Sequence, residues 1–402
     1  MKASTNKEKI KEILTRGVEE VYPKPDALEK ALKSGKRLRL YVGIDPTSEL
    51  LHIGHAIALR KLRQFQDLGH EVILLIGSFT GMIGDPTDKS ATRTKLTQKE
   101  VLENAATYKK QASKIISFTG RNAAKIMFNH KWLGKMNLAD VVELASNFTV
   151  QQMGERDMFE RRMKEGKPVY LHEFLYPLMQ GYDSVAMDVD LEIGGSDQMF
   201  NMLAGRTLMR AMKDKEKMVM TLKLLATSEG KKMSKTESGF IALSDPPEQM
   251  YGKIMAMADD MILSYFELAT EVPMEEIEGM RLALKKGMNP RDVKARLAQT
   301  VVVANHGEKA AEVASAHFDT VFRQHDAPED IIEFNLEKSQ NIVEVLVNTK
   351  LALSKSEARR LLAQKAIKLD GVVVTGQDIN VDGSAEGTIL QRGKRQFVRL
   401  VR

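Results

Sequence analysis

The tetrapeptide His52-Ile53-Gly54-His55 holds two imidazoles three residues apart, on one face of a helical turn. Two ring donors beside a residue without a side chain suit a nucleotide. The rings would take a phosphate, and the bare Gly54 backbone would take a base or ribose. A plain pair of surface histidines competes with that reading. A metal pair is disfavoured, because the chain has no cysteine and no third ligand stands nearby in sequence. Further along, Tyr176, Gln180 and Asp183 stand at i, i+4 and i+7, so a phenol, an amide and a carboxylate share one face of an apolar helix. An unpaired buried polar group costs about 1–3 kcal/mol, so these three satisfy one another or line a pocket for a small polar ligand. Leu171, Phe174, Leu175, Leu178 and Met179 are the positions expected to be buried around them. Gly194-Gly195 offers bare backbone to a ribose, and Asp197 offers a carboxylate to its hydroxyls, unless Ser196 or Asp197 merely caps the next helix. Lys232 and Lys235 lie in a polar loop, Thr227 to Thr236, and would fall on a triphosphate unless that loop is a solvated hairpin.

These residues need elements to hold them. Residues 38–44 alternate as a short buried strand, and Asp45-Pro46-Thr47 breaks it. From His52 the period becomes helical, with Ile53, Ile57, Leu59, Leu62 and Phe65 on one side. Strand, tight loop and helix make half of a nucleotide-binding βαβ unit, with backbone N–H groups at the helix N-terminus ready for an anion. Residues 71–77 read as a fully buried parallel strand. The following loop, 78–86, is too glycine-rich for a helix and carries Asp85 to the strand's carboxyl end, where open α/β sheets bind ligands. Lys89 and Arg93 follow as a pair for phosphate or acceptor-strand contact.

Residues 6–35 read as an entry helix through Ile10, Ile13, Leu14, Val18 and Val21, then a loop. A helical insertion spans about 95–165, broken at Gly120 and Asn137, and strands recur at 191–195 and 218–225. Residues 246–323 are again helical, with breaks at Gly252, at Gly287 to Pro290 and at Gly307; 324–340 is the expected linker. The last module, 341–402, reads as two helices and a hairpin around Asp370-Gly371.

At this length two or three domains are expected. The absence of cysteine excludes disulfides and thiolate catalysis, and MKASTNKEKIKEIL at the start has no apolar core for a signal peptide. No run approaches the ~20 apolar residues of a membrane span, so a soluble, cytoplasmic protein is expected. Net charge is +6, and residues 341–402 alone hold 11 Lys and Arg against 6 Asp and Glu. A basic module on a nearly neutral body points to nucleic acid, with a solvated charged face as the alternative.

His52-Ile53-Gly54-His55 resembles the signature of class I aminoacyl-tRNA synthetases, and Lys232-Met233-Ser234-Lys235-Thr236 resembles their second motif, with Thr in place of a final Ser. Two motifs in the family's order are far more specific than either alone. The last module resembles the S4 RNA-binding fold, in which Lys355, Arg359 and Arg360 would track an RNA backbone. Over its whole length the chain resembles the bacterial-type tyrosyl-tRNA synthetases. The resemblance implies an α/β fold. A Rossmann-like catalytic domain (1–240, with its insertion) is followed by a helical anticodon-side domain (241–323), the linker and an S4-like domain (341–402).

It also implies site roles. Thr47, His52, His55, Lys232 and Lys235 would act on the phosphates. Gly43, Asp45, Gly54, Gly195, Asp197, Met233 and Ser234, with Lys235, would surround ATP. Tyr41 and Asp183 would read a substrate phenol; Asp85, Tyr176 and Gln180 would bind its ammonium, with Gln198 near its carboxyl end. Met199 stands where many relatives carry tryptophan. Substrates would be L-tyrosine, ATP with its Mg2+ and tRNA(Tyr), with no protein-bound metal, and the insertion would support a homodimer. Tryptophanyl-tRNA synthetase is the near alternative. A synthetase-derived RNA-binding regulator would have lost Lys235 or the histidines, and small nucleotidyltransferases lack an RNA module.

Overall fold

The computed structural model describes residues 2–85, 96–225, 240–322, 332–336, 338–370, 372–382, 387–393 and 396–402, in two compact units, Met1–Ala311 and Glu312–Arg402. The first unit is built on six strands: β1 (Val18–Tyr22), β2 (Arg39–Ile44), β3 (Glu71–Ile76), β4 (Lys125–Phe128), β5 (Leu191–Gly195) and β6 (Met218–Leu222). Their order is β1-β6-β5-β2-β3-β4. β2 to β6 run parallel, and β1 joins β6 as an antiparallel edge. From β2 the chain steps one way to β3 and β4, then returns to place β5 and β6 on the other side. A crevice therefore opens at the carboxyl ends of β2 and β5, the point where an open α/β sheet binds ligands. Helices cover both faces, so Leu40, Tyr41, Val42 and Ile44 of β2 and Val72 to Ile76 of β3 are all buried.

The helices are α1 (Lys7–Thr15), α2 (Pro25–Lys33), α3 (Ile53–Asp67) and α4 (Thr80–Ile83), then α5 (Gln98–Ala105), α6 (Tyr108–Ala112), α7 (His130–Leu133), α8 (Leu138–Ala145), α9 (Val150–Gly154) and α10 (Asp157–Lys164). Two long helices follow, α11 (Leu171–Met187) and α12 (Met199–Lys213). After them come α13 (Pro247–Met255), α14 (Ile262–Ala269), α15 (Met274–Lys285), α16 (Pro290–His306) and α17 (Glu308–Phe322). α3 buries Ile53, Ile57, Leu59, Leu62 and Phe65, the stripe its period predicts.

In the second unit, β7 (Ile332–Asn335), β9 (Ile367–Leu369), β10 (Val372–Val373), β12 (Thr388–Arg392) and β13 (Gln396–Val401) form one sheet, ordered β10-β9-β12-β13-β7. β8 (Gln340–Asn341) pairs with β11 (Asn380–Val381). Two helices, α18 (Ile342–Asn348) and α19 (Lys355–Ala363), share their core through Leu346, Leu362, Leu390 and Leu400.

Several local expectations change. The entry helix stops at Thr15: Gly17 turns at φ 64°, and Val18 to Tyr22 pair with β6 instead. Two valines and a tyrosine favour that edge once a partner strand exists. The loop after β3 contains the single turn α4, ended by Gly84 at φ 82°. The helical insertion also supplies β4, a four-residue edge strand too short to show a period. Gly252 lies inside α13 and does not break it. Within the stretch expected as linker, Ile332–Asn335 is a strand parallel to β13.

Candidate active site

At the carboxyl end of β2, His52 leads α3 in extended backbone, and the two histidines cap the helix between them. Gly54 N–H donates to His52 Nδ1 at 3.1 Å, and His52 N–H donates to His55 Nδ1 at 3.1 Å. A nitrogen that accepts carries no proton, so each neutral ring carries its proton on Nε2. The ring pressed against Gly54 is His52's own: a Cβ there would meet it at 2.9 Å. The rings lie 3.8 Å apart between centroids, and Phe240 stands edge-on to His52. Ile53 N–H donates to Ile241 and Leu243 N–H to Leu51, so residues 241–243 are stitched to the start of α3. Residues 226–239, with Lys232, Met233, Ser234 and Lys235, lie outside the described residues, as do Lys89 and Arg93. Thr47 is half-buried just past β2, and Gly43 is exposed on it.

Asp45, one residue beyond β2, accepts from Thr80 Oγ1 at 2.6 Å and from the Tyr176 hydroxyl at 2.7 Å. Burial and then the Asp45 charge push the Tyr176 phenol well up. Asp85 accepts from Gln198 Nε2 at 2.6 Å and from the buried Arg156 guanidinium at 3.2 Å. That guanidinium also lies over Phe159 and Phe200. Tyr176, Asp85 and Gln180 thus bond to different partners. Gln180 reaches Glu192 at 3.1 Å, a residue of β5.

Asp183 is buried on α11. Trp132 Nε1 donates to it at 2.7 Å and Asn129 Nδ2 at 3.2 Å. Burial pushes its carboxyl well up, against the pull of those two donors. Asn129 also donates to Thr80 at 3.0 Å, which completes a chain of hydrogen bonds from Asp183 through Asn129 and Thr80 to Asp45. Tyr41 is buried as well; its hydroxyl lies 3.0 Å from Ser184 Oγ. Burial, and then the charges of Glu192 and Asp183, push that phenol up.

The polar face of α11 therefore turns inward, and the apolar expectation is partly reversed: Leu178 is buried, but Leu171 is 84% exposed and Leu175 37%. Gly195 closes β5, and Asp197 lies in the single turn Ser196–Gln198 that leads into α12. The N-cap position of α12 is Gln198, with no side-chain cap bond, so neither Ser196 nor Asp197 caps that helix. In the second unit, Lys355, Arg359 and Arg360 are all exposed on α19, with Lys355 paired to Glu344 at 2.7 Å.

Sequence reasoning missed Thr80, Asn129, Trp132, Arg156, Ser184, Glu192 and Lys217. Glu192 and Lys217 had a signal: each is a charge beside or within an apolar strand run. Trp132 is the chain's single tryptophan. Asn129 and Thr80 had none, because only the fold brings them to Asp183 and Asp45.

No helix among the described residues is long and apolar enough to cross a membrane. Residues 33–323 match the family described as tRNA synthetases class I (W and Y), and residues 324–400 match the tyrosine–tRNA ligase SYY-like C-terminal domain. The tyrosine–tRNA ligase of Moorella thermoacetica is 47% identical over 394 residues, covering 96% of this chain and 94% of the relative. That of Thermotoga maritima is 44% identical and covers 98% of each. Among solved structures, a C-terminally truncated mitochondrial tyrosyl-tRNA synthetase of Coccidioides posadasii superposes with a TM-score of 0.62 at 26% identity, over 77% of this chain and 91% of its own. With both parts matched and relatives aligned almost end to end, the chain belongs to the class I tRNA synthetases and, within them, to the tyrosine–tRNA ligases.

Proposed function

We propose that the crevice between β2 and β5 activates L-tyrosine with Mg-ATP and then passes tyrosine to tRNA(Tyr). In the first step a tyrosine carboxylate oxygen bonds to the α-phosphorus, and the bond to pyrophosphate breaks. In the second, a hydroxyl of the terminal ribose attacks the carbonyl carbon, loses its proton and releases AMP. Neither step needs an enzyme nucleophile, so the protein's part is positioning and charge stabilisation. His52 and His55 donate from Nε2 to the phosphates at the N-terminus of α3, beside Thr47. Gly43, Asp45, Gly54, Gly195 and Asp197 surround the nucleotide. Lys232 and Lys235, with Met233 and Ser234, act on the leaving pyrophosphate. Tyr41 and Asp183 read the phenol, while Asp85, Tyr176, Gln180 and Gln198 hold the ammonium and carboxyl end.

The observation that carries this reading is the meeting, at the sheet's switch point, of a histidine-capped helix with the buried polar face of α11. Lys355, Arg359 and Arg360 contact tRNA phosphates. A second copy of the chain covers the apolar side chains of the insertion: α8, α9 and α11 share a core through Leu144, Met153 and Leu178, yet leave Leu138, Val142, Val150 and Leu171 at least 61% exposed. Such a homodimer would work in the cytoplasm.

Amino-acid-dependent ATP–pyrophosphate exchange across a panel of amino acids tests the reading. Exchange should require tyrosine; exchange driven best by tryptophan would overturn it.

A further inference from the structure

Behind Tyr41 and Gln180 lies a closed polar cluster. Lys217 has no exposed surface and Glu192 is 2% exposed. The Lys217 ammonium donates to Glu192 Oε2, to Ser184 Oγ at 2.8 Å and to the Met202 carbonyl at 3.1 Å. α12 leaves room for that ammonium with Gly205, where a Cβ would sit 2.4 Å from Nζ. A buried ion pair is weak evidence for stability, since apolar residues of similar volume often serve as well. Its geometry suggests another use.

An ammonium has no lone pair, so Ser184 must accept from Lys217. Its single proton then goes to Tyr41 Oη at 3.0 Å or to Glu192 Oε2 at 3.4 Å, and the phenol is nearer. A phenol oxygen that accepts from Ser184 keeps its own proton for another acceptor, either Glu192, whose carboxylate faces the phenol and is already engaged by Lys217, or the substrate. We infer that Lys217 and Ser184 are positioning residues for substrate choice: they set the direction of a donor relay, Lys217 to Ser184 to Tyr41, so that Tyr41 offers a proton to the substrate phenol while Asp183 accepts one. Glu192 holds the ammonium in place and, through its other oxygen, orients the Gln180 amide. This rests on the reading of Tyr41 and Asp183 given above.

Without the relay, Tyr41 would donate to Ser184 and present only lone pairs to the pocket. Phenylalanine makes no use of that donor, so only tyrosine should notice the change.

The test uses the full-length enzyme and compares tyrosine- with phenylalanine-dependent ATP–pyrophosphate exchange. The double variant Lys217→Met/Glu192→Met removes both charges at similar volume and keeps Ser184, so Tyr41 donates to Ser184 and not to the substrate. It should lower kcat/KM for tyrosine roughly tenfold, the effect of one buried hydrogen bond, with phenylalanine changed by much less. Adding Ser184→Ala takes away the competing acceptor and should restore much of the tyrosine-to-phenylalanine ratio; no recovery overturns the inference. A merely structural role would lower both amino acids together, and that result, or an unmoved ratio, overturns the inference while wild-type exchange with tyrosine stands. Absence of tyrosine exchange in the wild type overturns the underlying reading, and this inference with it.

Discussion

His52 has two roles in this reading: its Nδ1 caps α3, and its Nε2–H is proposed to donate to the phosphates. His52→Ala removes both; His52→Asn keeps a capping oxygen. Both variants should slow tyrosine activation and leave tyrosine affinity nearly unchanged. Only the alanine variant should lose the cap, worth about 1 kcal/mol and visible in thermal unfolding. Asp183 takes its two donors, Trp132 and Asn129, from more than fifty residues away in sequence. Asp183→Ala should lower tyrosine activation sharply and phenylalanine activation much less, measured by exchange with both amino acids. A site built to hydrogen-bond a substrate hydroxyl rejects the analogue that lacks it, because its own buried polar groups are then left unpaired. Trp132→Phe keeps the ring and removes one donor that holds the Asp183 carboxyl down against burial. Its carboxyl should then titrate still higher, so the acidic limb of kcat/KM for tyrosine should move to higher pH, with activity recovered as pH rises.

Among the elements, β2, β3, α3 and α11 were legible because burial on both faces, or on one stripe, writes a clear period into the chain. β1 and β4 were not: each is a short edge strand whose identity depends on a partner far away in sequence. α11 was legible as a helix but not in its facing. Leu171 and Leu175 look like core residues until the fold turns Tyr176 and Asp183 inward. Of the site, the histidines and the α11 triad could be read from spacing, whereas Asn129 and Thr80 join it only through the sheet. His70, between α3 and β3, is fully buried and accepts from Leu38 N–H at 3.2 Å. Burial, helped by Arg37, lowers its pKa to about 4. Because this pKa lies below the ordinary histidine value, stability from His70 is intact above pH ~6.5 and declines as pH falls toward the folded value. Urea unfolding at pH 7 and pH 5 should therefore show a larger loss for the wild type than for His70→Gln, which keeps an acceptor for Leu38. Equal losses would remove His70 from the explanation.

For the whole molecule, the proposed tRNA contacts and the dimer can be separated. Replacing Lys355, Arg359 and Arg360 with alanine should leave tyrosyl-adenylate formation intact and weaken charging, with a shallower salt dependence of tRNA binding by about 1 per lost phosphate contact. A truncation meant to remove this module should end before Ile332, since the strand Ile332–Asn335 belongs to its sheet. Val150→Glu with Leu171→Glu places charge on the two most exposed of the apolar side chains left uncovered by α8, α9 and α11. Sedimentation should then show a lighter species than the wild type; an unchanged mass would move the dimer contact elsewhere.

The seat of Lys217 has a consequence for covalent chemistry. An amine whose three protons are engaged in a dry interior gives a reagent no lone pair and no path. Acylating reagents should mark the surface lysines quickly and reach Lys217 only when α11 and α12 part. The rate at which that one side chain is labelled, read by peptide mass spectrometry under native conditions, is therefore a clock for opening of the fold around the site.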